Sequence, residues 1–108
     1  MMTESDFRLQ MQVTLSRIEK AFEGIDPDVA ECEQALGSMT ITLQDRSRCI
    51  LSAQPSVRQL WLALAAKGMA FHFNFEGDRW TDDKGKGIEL LTYLESYLKD
   101  NTGLTLHF

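Results

Sequence analysis

Residues Val57–Phe75 read VRQLWLALAAKGMAFHFNF. In the first part Leu60 and Leu62 alternate with Gln59 and Trp61, and in the last part Met69, Phe71, Phe73 and Phe75 alternate with Ala70, His72 and Asn74. Successive side chains of a strand point to opposite faces, so the spacing predicts strands over Val57–Ala63 and from Met69 onward, each with one apolar face. The turns at Lys67-Gly68 and at Glu76-Gly77-Asp78 are short. Short connections join antiparallel neighbours, and one-sided alternation marks a sheet with one face covered and one wet.

Working outward, Met39, Ile41 and Leu43 alternate with Thr40 and Thr42, and Arg48–Ser52 follows across the polar break Asp45-Arg46-Ser47. The period of two extends from Val29 to Trp80, and Trp80, just after a tight turn, is placed in the core. The flanks have another period. Phe7, Met11, Thr14, Leu15, Ile18 and Phe22 recur at helical spacing, so a helix over about residues 5–23 is expected. Thr3 or Ser5 serves as its N-cap, and Gly24 and Pro27 stop it. A second helix is expected from near Gly87, with Ile88, Leu91, Leu94, Tyr97 and Leu98 as its apolar stripe and Asn101–Gly103 as its end. The tail Leu104–Phe108 is apolar at alternate positions and is expected to pack back. Helix, strands, helix, each with one apolar face, fold as an α+β protein. Its architecture is a two-layer α/β sandwich, two helices on one face of an antiparallel sheet of five or six strands.

The 108 residues are expected to form one domain, 1–108, with 44% apolar and 25% charged residues. The longest apolar run, Leu60–Ala66, is far short of the roughly 20 residues of a membrane span, and no signal peptide is read at the N-terminus. Cys32 and Cys49 fall on the first and third strands, about 9.6 Å apart, beyond the reach of a disulfide. Two reduced thiols in a cytoplasmic protein are the expectation. The net charge of −5 sits wholly in residues 1–34, which hold eight acids and three bases. Such an end repels phosphate backbones and attracts cations or a basic protein surface, so no nucleic-acid partner is expected.

Glu19, Glu23, Asp26, Asp28, Glu31 and Glu33 lie within fifteen residues, opposed only by Lys20. Glu19 and Glu23 share a helix face, and Glu31 and Glu33 share a strand face opposite Cys32. Carboxylates are hard ligands for hydrated di- and trivalent cations. A solvated face that aids solubility is the plainer reading. The phase of Trp61 puts it on the open sheet face with Gln59 and, on neighbouring strands, Thr40, Thr42, Gln54, His72 and Asn74. An exposed tryptophan there is either a protein-contact anchor or covered by a loop or the tail. With two histidines and no HExxH, nucleophile elbow, phosphate loop or CxxC, the pattern points to a binder and not an enzyme.

Met39-Thr-Ile-Thr-Leu43, the run QPSVRQLWLA over Gln54–Ala63, Gly77-Asp-Arg-Trp80, Cys32-Glu33 and Ile88-Glu-Leu-Leu91 together resemble the frataxin family over essentially the whole chain, its bacterial, CyaY-type branch most of all. The resemblance implies two helices on an antiparallel sheet of up to seven strands. It implies an iron-binding accessory protein that regulates iron–sulfur cluster assembly and contacts the cysteine desulfurase and the cluster scaffold protein. Iron, ferrous or ferric, would be weakly bound at the positions of Glu19, Glu23, Asp26, Asp28, Glu31 and Glu33, and Trp61 with Gln54 and Gln59 would meet partners. A monomer is expected, with metal-dependent oligomers as in some relatives. Lys20 and Gly24 stand where relatives carry further acids, Asp45-Arg46 replaces an Asn-Gly turn, Ser52 replaces an asparagine and the loop around Ala65–Gly68 is longer. The alternative is an acidic protein-docking module with incidental metal binding, for which a helix-flanked secretion chaperone is the unrelated precedent.

Overall fold

The computed structural model describes residues 2–108. Helix α1 (Glu4–Ala21) is followed by strands β1 (Ala30–Ala35), β2 (Ser38–Leu43), β3 (Arg48–Gln54), β4 (Gln59–Leu64), β5 (Met69–Glu76) and β6 (Arg79–Asp82), then by helix α2 (Leu90–Thr102). The six strands form one antiparallel meander in chain order, within the expected number.

The register explains the two faces. One lateral row runs Cys32, Ile41, Cys49, Leu64, Met69, and the next runs Met39, Leu51, Leu62, Phe71. These rows face the helices, where Phe7, Met11, Leu15 and Ile18 of α1 and Leu90, Leu94, Tyr97 and Leu98 of α2 close the core. The intervening rows, among them Ser52, Trp61, His72 and Gln54, Gln59, Asn74, Thr81, form the open face. Ile41 pairs with both cysteines, which holds the thiols two strands apart, and both are free.

Thr3 caps α1 in a reciprocal capping box with Asp6. Trp80 and Thr14 are joined deep in the core, where the indole Nε1 donates to Thr14 Oγ1 at 2.8 Å. The tail packs back as expected: Leu106 is buried, the Phe108 ring stacks on Phe22, and Glu95 accepts from the Phe108 amide. Among the described residues no helix is long and apolar enough to cross a membrane.

Four local expectations are corrected. Helix α1 ends at Ala21, before residue 23. Val57 lies in a 3₁₀ turn, Pro55–Val57, because Arg58 adopts a left-handed φ of 53° that breaks the strand, so β4 begins at Gln59. Helix α2 begins at Leu90 because Glu89, an unusual cap, accepts the Leu91 and Thr92 amides, which leaves Ile88 outside the helix. Of the alternating apolar side chains of β5, only Phe73 is fully buried; Met69, at the end of its row, is 43% exposed. The Asp45-Arg46 hairpin closes despite lacking glycine: Arg46 takes φ 72°, and Asp45 Oδ1 accepts from both the amide and the hydroxyl of Ser47.

Candidate functional site

The sequence of α1 sets where its acids go. Phe7, Met11, Leu15 and Ile18 face inward, so Glu19 emerges on the flank nearest the edge strand β1, and Glu23 follows in the turn just past the end of α1. There Glu19, Glu23 and Glu31 line one open groove of about 270 Å³ with Phe22, Ile25, Pro27, Ala30 and Cys32. Glu31 and Glu33 flank Cys32 along β1 and point to the opposite face. Asp26 and Asp28 lie in the connection between α1 and β1, where Asp26 Oδ1 accepts the Asp28 amide at 2.9 Å. All six carboxylates are exposed. None of the six is within ion-pair distance of a base among the described residues, where the pairs found are Arg8–Glu4, His72–Asp83 and Arg79–Asp78.

The structure therefore gathers Glu19, Glu23 and Glu31 on one groove, with Glu33 beside it, and strings Asp26 and Asp28 along the loop above. It does not converge them: among the described residues no three acid, histidine or cysteine side chains are close enough together to hold one ion. Gly24, where an acid would extend the series, has φ 80°, a conformation that side-chain-bearing residues rarely adopt. Burial first, then the Glu19 and Glu33 carboxylates, push the Cys32 thiol up to about 11. Burial, then Asp45, does the same for Cys49. Both are thiols, not thiolates, at neutral pH, so neither is a ready nucleophile or soft ligand. The donor set left is carboxylate oxygen on a water-facing surface, which suits a hard cation that keeps part of its hydration shell.

The second candidate group lies on the open sheet face. Trp61 is half-buried and lies flat against His72, ring centroids 4.2 Å apart at 15°. Its Nε1 donates to Gln59 Oε1 at 2.8 Å. Gln59 Nε2 in turn donates to Asn74 Oδ1 and to Asp83 Oδ2, both at 3.2 Å. The His72 ring Nδ1 lies 3.7 Å from the same Asp83 oxygen. Gln54 is laterally paired with Gln59 but bonds only to Ser52, at a long 3.4 Å. Trp61 stays partly exposed, in the row with Ser52 and His72 on the open face.

Asp83 is the residue that sequence reasoning missed. It belongs to the loop after β6, which Asp82 ties down: its carboxylate accepts the amides of Lys84, Lys86 and Ile88. The hydrogen bond donated by the Lys86 amide is the main cause, ahead of those from Ile88 and Lys84, that holds the Asp82 carboxyl below the usual carboxylate range. The Asp83 amide also donates to the His72 carbonyl at 2.8 Å. The consecutive acids before Gly85 and Gly87 were the available signal, but which strand they reach is not a local property.

Comparison with known proteins agrees with the fold. The frataxin-like domain matches residues 1–104. The iron-sulfur cluster assembly protein CyaY of Paraburkholderia xenovorans is 31% identical over 99% of this chain and 98% of its own. That of Cupriavidus metallidurans is 33% identical over 97% of this chain and 95% of its own. Among solved structures, a frataxin from Psychromonas ingrahamii superposes with a TM-score of 0.87 at 23% identity, over 97% of this chain and 96% of that one. A ferrous complex of trimeric frataxin from the yeast Saccharomyces cerevisiae superposes with a TM-score of 0.65 at 20% identity, over 94% of this chain and 86% of that one. With the family's domain spanning nearly its full length and relatives above 30% identity end to end, this chain belongs to the frataxin-like family.

Proposed function

We propose that this chain is an iron-responsive accessory protein of iron–sulfur cluster assembly. Iron is its cargo, held loosely by surface carboxylates, and the protein acts by docking on the assembly machinery, the cysteine desulfurase and the scaffold protein, in the cytoplasm. The observation that carries the reading is the groove lined by Glu19, Glu23 and Glu31, with no base among the described residues within ion-pair distance of them. Unopposed like charges are mutually repulsive, and a cation relieves that repulsion in proportion to its charge. Glu33 adds to the same field from β1, and Asp26 and Asp28 extend it along the loop. Trp61 supplies a second, uncharged contact on the sheet, with the half-buried Ile50 and Ala63 beside it. No residue is assigned a catalytic role.

The absence of three converging donors favours a second reading among the described residues, in which the acids serve protein docking and metal binding is incidental. Anaerobic titration of the isotope-labelled chain with ferrous iron separates the two. Line broadening confined to residues 19–33 is expected for the first reading. Unchanged spectra at millimolar iron, with binding to the desulfurase retained, overturn it in favour of the second.

A further inference from the structure

The phase of Trp61 puts it on the open sheet face, yet the one polar atom of its side chain is already engaged. The indole N–H is spent on Gln59 at 2.8 Å, and both amide hydrogens of Gln59 have acceptors, on Asn74 and Asp83. One face of the indole lies on the His72 ring, whose own Nδ1 faces the Asp83 carboxylate. We propose that Gln59, Asn74, His72 and Asp83 form a clamp that fixes Trp61 in one orientation. What an incoming protein then meets is the rim of the ring and not its hydrogen-bonding edge.

Gln59 is thus a positioning residue for Trp61 and not a direct contact. Its carboxamide joins the indole of β4 by hydrogen bonds to Asn74 of β5 and to the loop beyond β6. The loop end is itself held, through the three amides on Asp82 and the Asp83 amide on the His72 carbonyl. A ring whose rotamer is set in advance loses less freedom on binding than one that must be ordered by the partner. Its N–H, once satisfied, makes no demand on the partner, so the ring selects an apolar side chain. This use of the clamp rests on the reading that Trp61 is a contact residue; the clamp itself does not.

The test uses the indole signals of the full chain labelled with ¹⁵N. Trp80, bonded to Thr14 in the core, is the internal standard. In Gln59→Met, which keeps the length of the side chain and removes its hydrogen bonds, the Trp61 Nε1–H signal is expected to shift. Its exchange with solvent should quicken at least about fivefold, the ratio expected for one hydrogen bond of ordinary net strength. The Trp80 signal should stay in place. Asp83→Ala should move the Trp61 signal in the same direction, and Asp83→Asn, which keeps an acceptor for Gln59, should restore it. A Trp61 signal unmoved in both Gln59→Met and Asp83→Ala overturns the clamp, whatever happens to binding. Binding to the scaffold protein is read separately. Gln59→Met should weaken it in the parent chain and have no further effect in a Trp61→Ala background. A persisting effect in that background makes Gln59 a direct contact and refutes its positioning role. Altered indole signals without any scaffold binding by the parent chain refute only the docking reading.

Discussion

Thr14→Val tests whether the buried hydrogen bond from Trp80 to Thr14 holds α1 in register over the sheet. Trp80 is 1% exposed and Thr14 5%, so neither partner finds water when the bond is lost. Valine reproduces the shape of threonine and leaves no cavity; what it removes is the acceptor for the indole N–H. An orphaned buried donor costs about 1–3 kcal/mol. The methyl that replaces the hydroxyl offsets up to about 0.8 kcal/mol of that. From the middle of that range, about 2 kcal/mol, less the offset, the net expectation is a loss of about 1–2 kcal/mol, or a fall in Tm of roughly 4–15 °C for a chain of this size. Thr14→Ser keeps the hydroxyl and loses one methyl, which costs about 0.8 kcal/mol. Urea denaturation followed by far-UV circular dichroism should therefore rank the parent first, Ser second and Val last. Apolar burial alone ranks them with Val at or above the parent. Val at least as stable as the parent refutes the reasoning. In a Trp80→Phe background, with no N–H to satisfy, Thr14→Val should become nearly neutral.

Replacing Glu19, Glu23 and Glu31 together by Gln should abolish iron-induced broadening around the groove and leave Tm unchanged or raised, because none of the three gives up an ion pair; calorimetry with the same iron titration reads both. Cys49 has its thiol pushed from an ordinary value of 9.0 up to about 11 by burial. Between those pH values the unfolded chain sheds a proton that the folded chain keeps, so stability is full below about pH 9 and falls as pH rises toward 11. Cys49→Ala should flatten that fall by up to roughly 3 kcal/mol in urea melts run across the range, measured against the parent. Trp61→Ala should leave Tm nearly intact and weaken scaffold binding by about 2 kcal/mol, some thirtyfold, in a titration calorimeter; loss of folding instead would make Trp61 a core residue.

The fold was legible because its signals are local. A period of two over Met39–Leu43 and Gln59–Leu64 and a helical period over Phe7–Ile18 each require only a few neighbouring residues to be read, and burial then leaves one way to stack them. At the starts of α2 and β4, where the local rules misplaced a boundary, an exception had displaced the usual residue. Glutamate capped α2 in place of the small residues that normally do so, and Arg58 took a left-handed φ that is commonly left to glycine.

The same locality limits what could be said of the sites. That Glu31 and Glu33 share a face follows from strand periodicity within this chain, whereas Glu23, expected on the helix face of Glu19, lies in the turn beyond the end of α1 at Ala21. That Glu19, Glu23 and Glu31 line one groove, while no three donors converge on a point, depends on how α1 lies against the edge of the sheet. Sequence alone likewise put Trp61 on the water side of β4. The bonds that hold its ring come from β4, β5 and the loop after β6, and hydrogen bonds act over about 3 Å, so only the folded arrangement of those three segments could bring Gln59, Asn74, His72 and Asp83 to it.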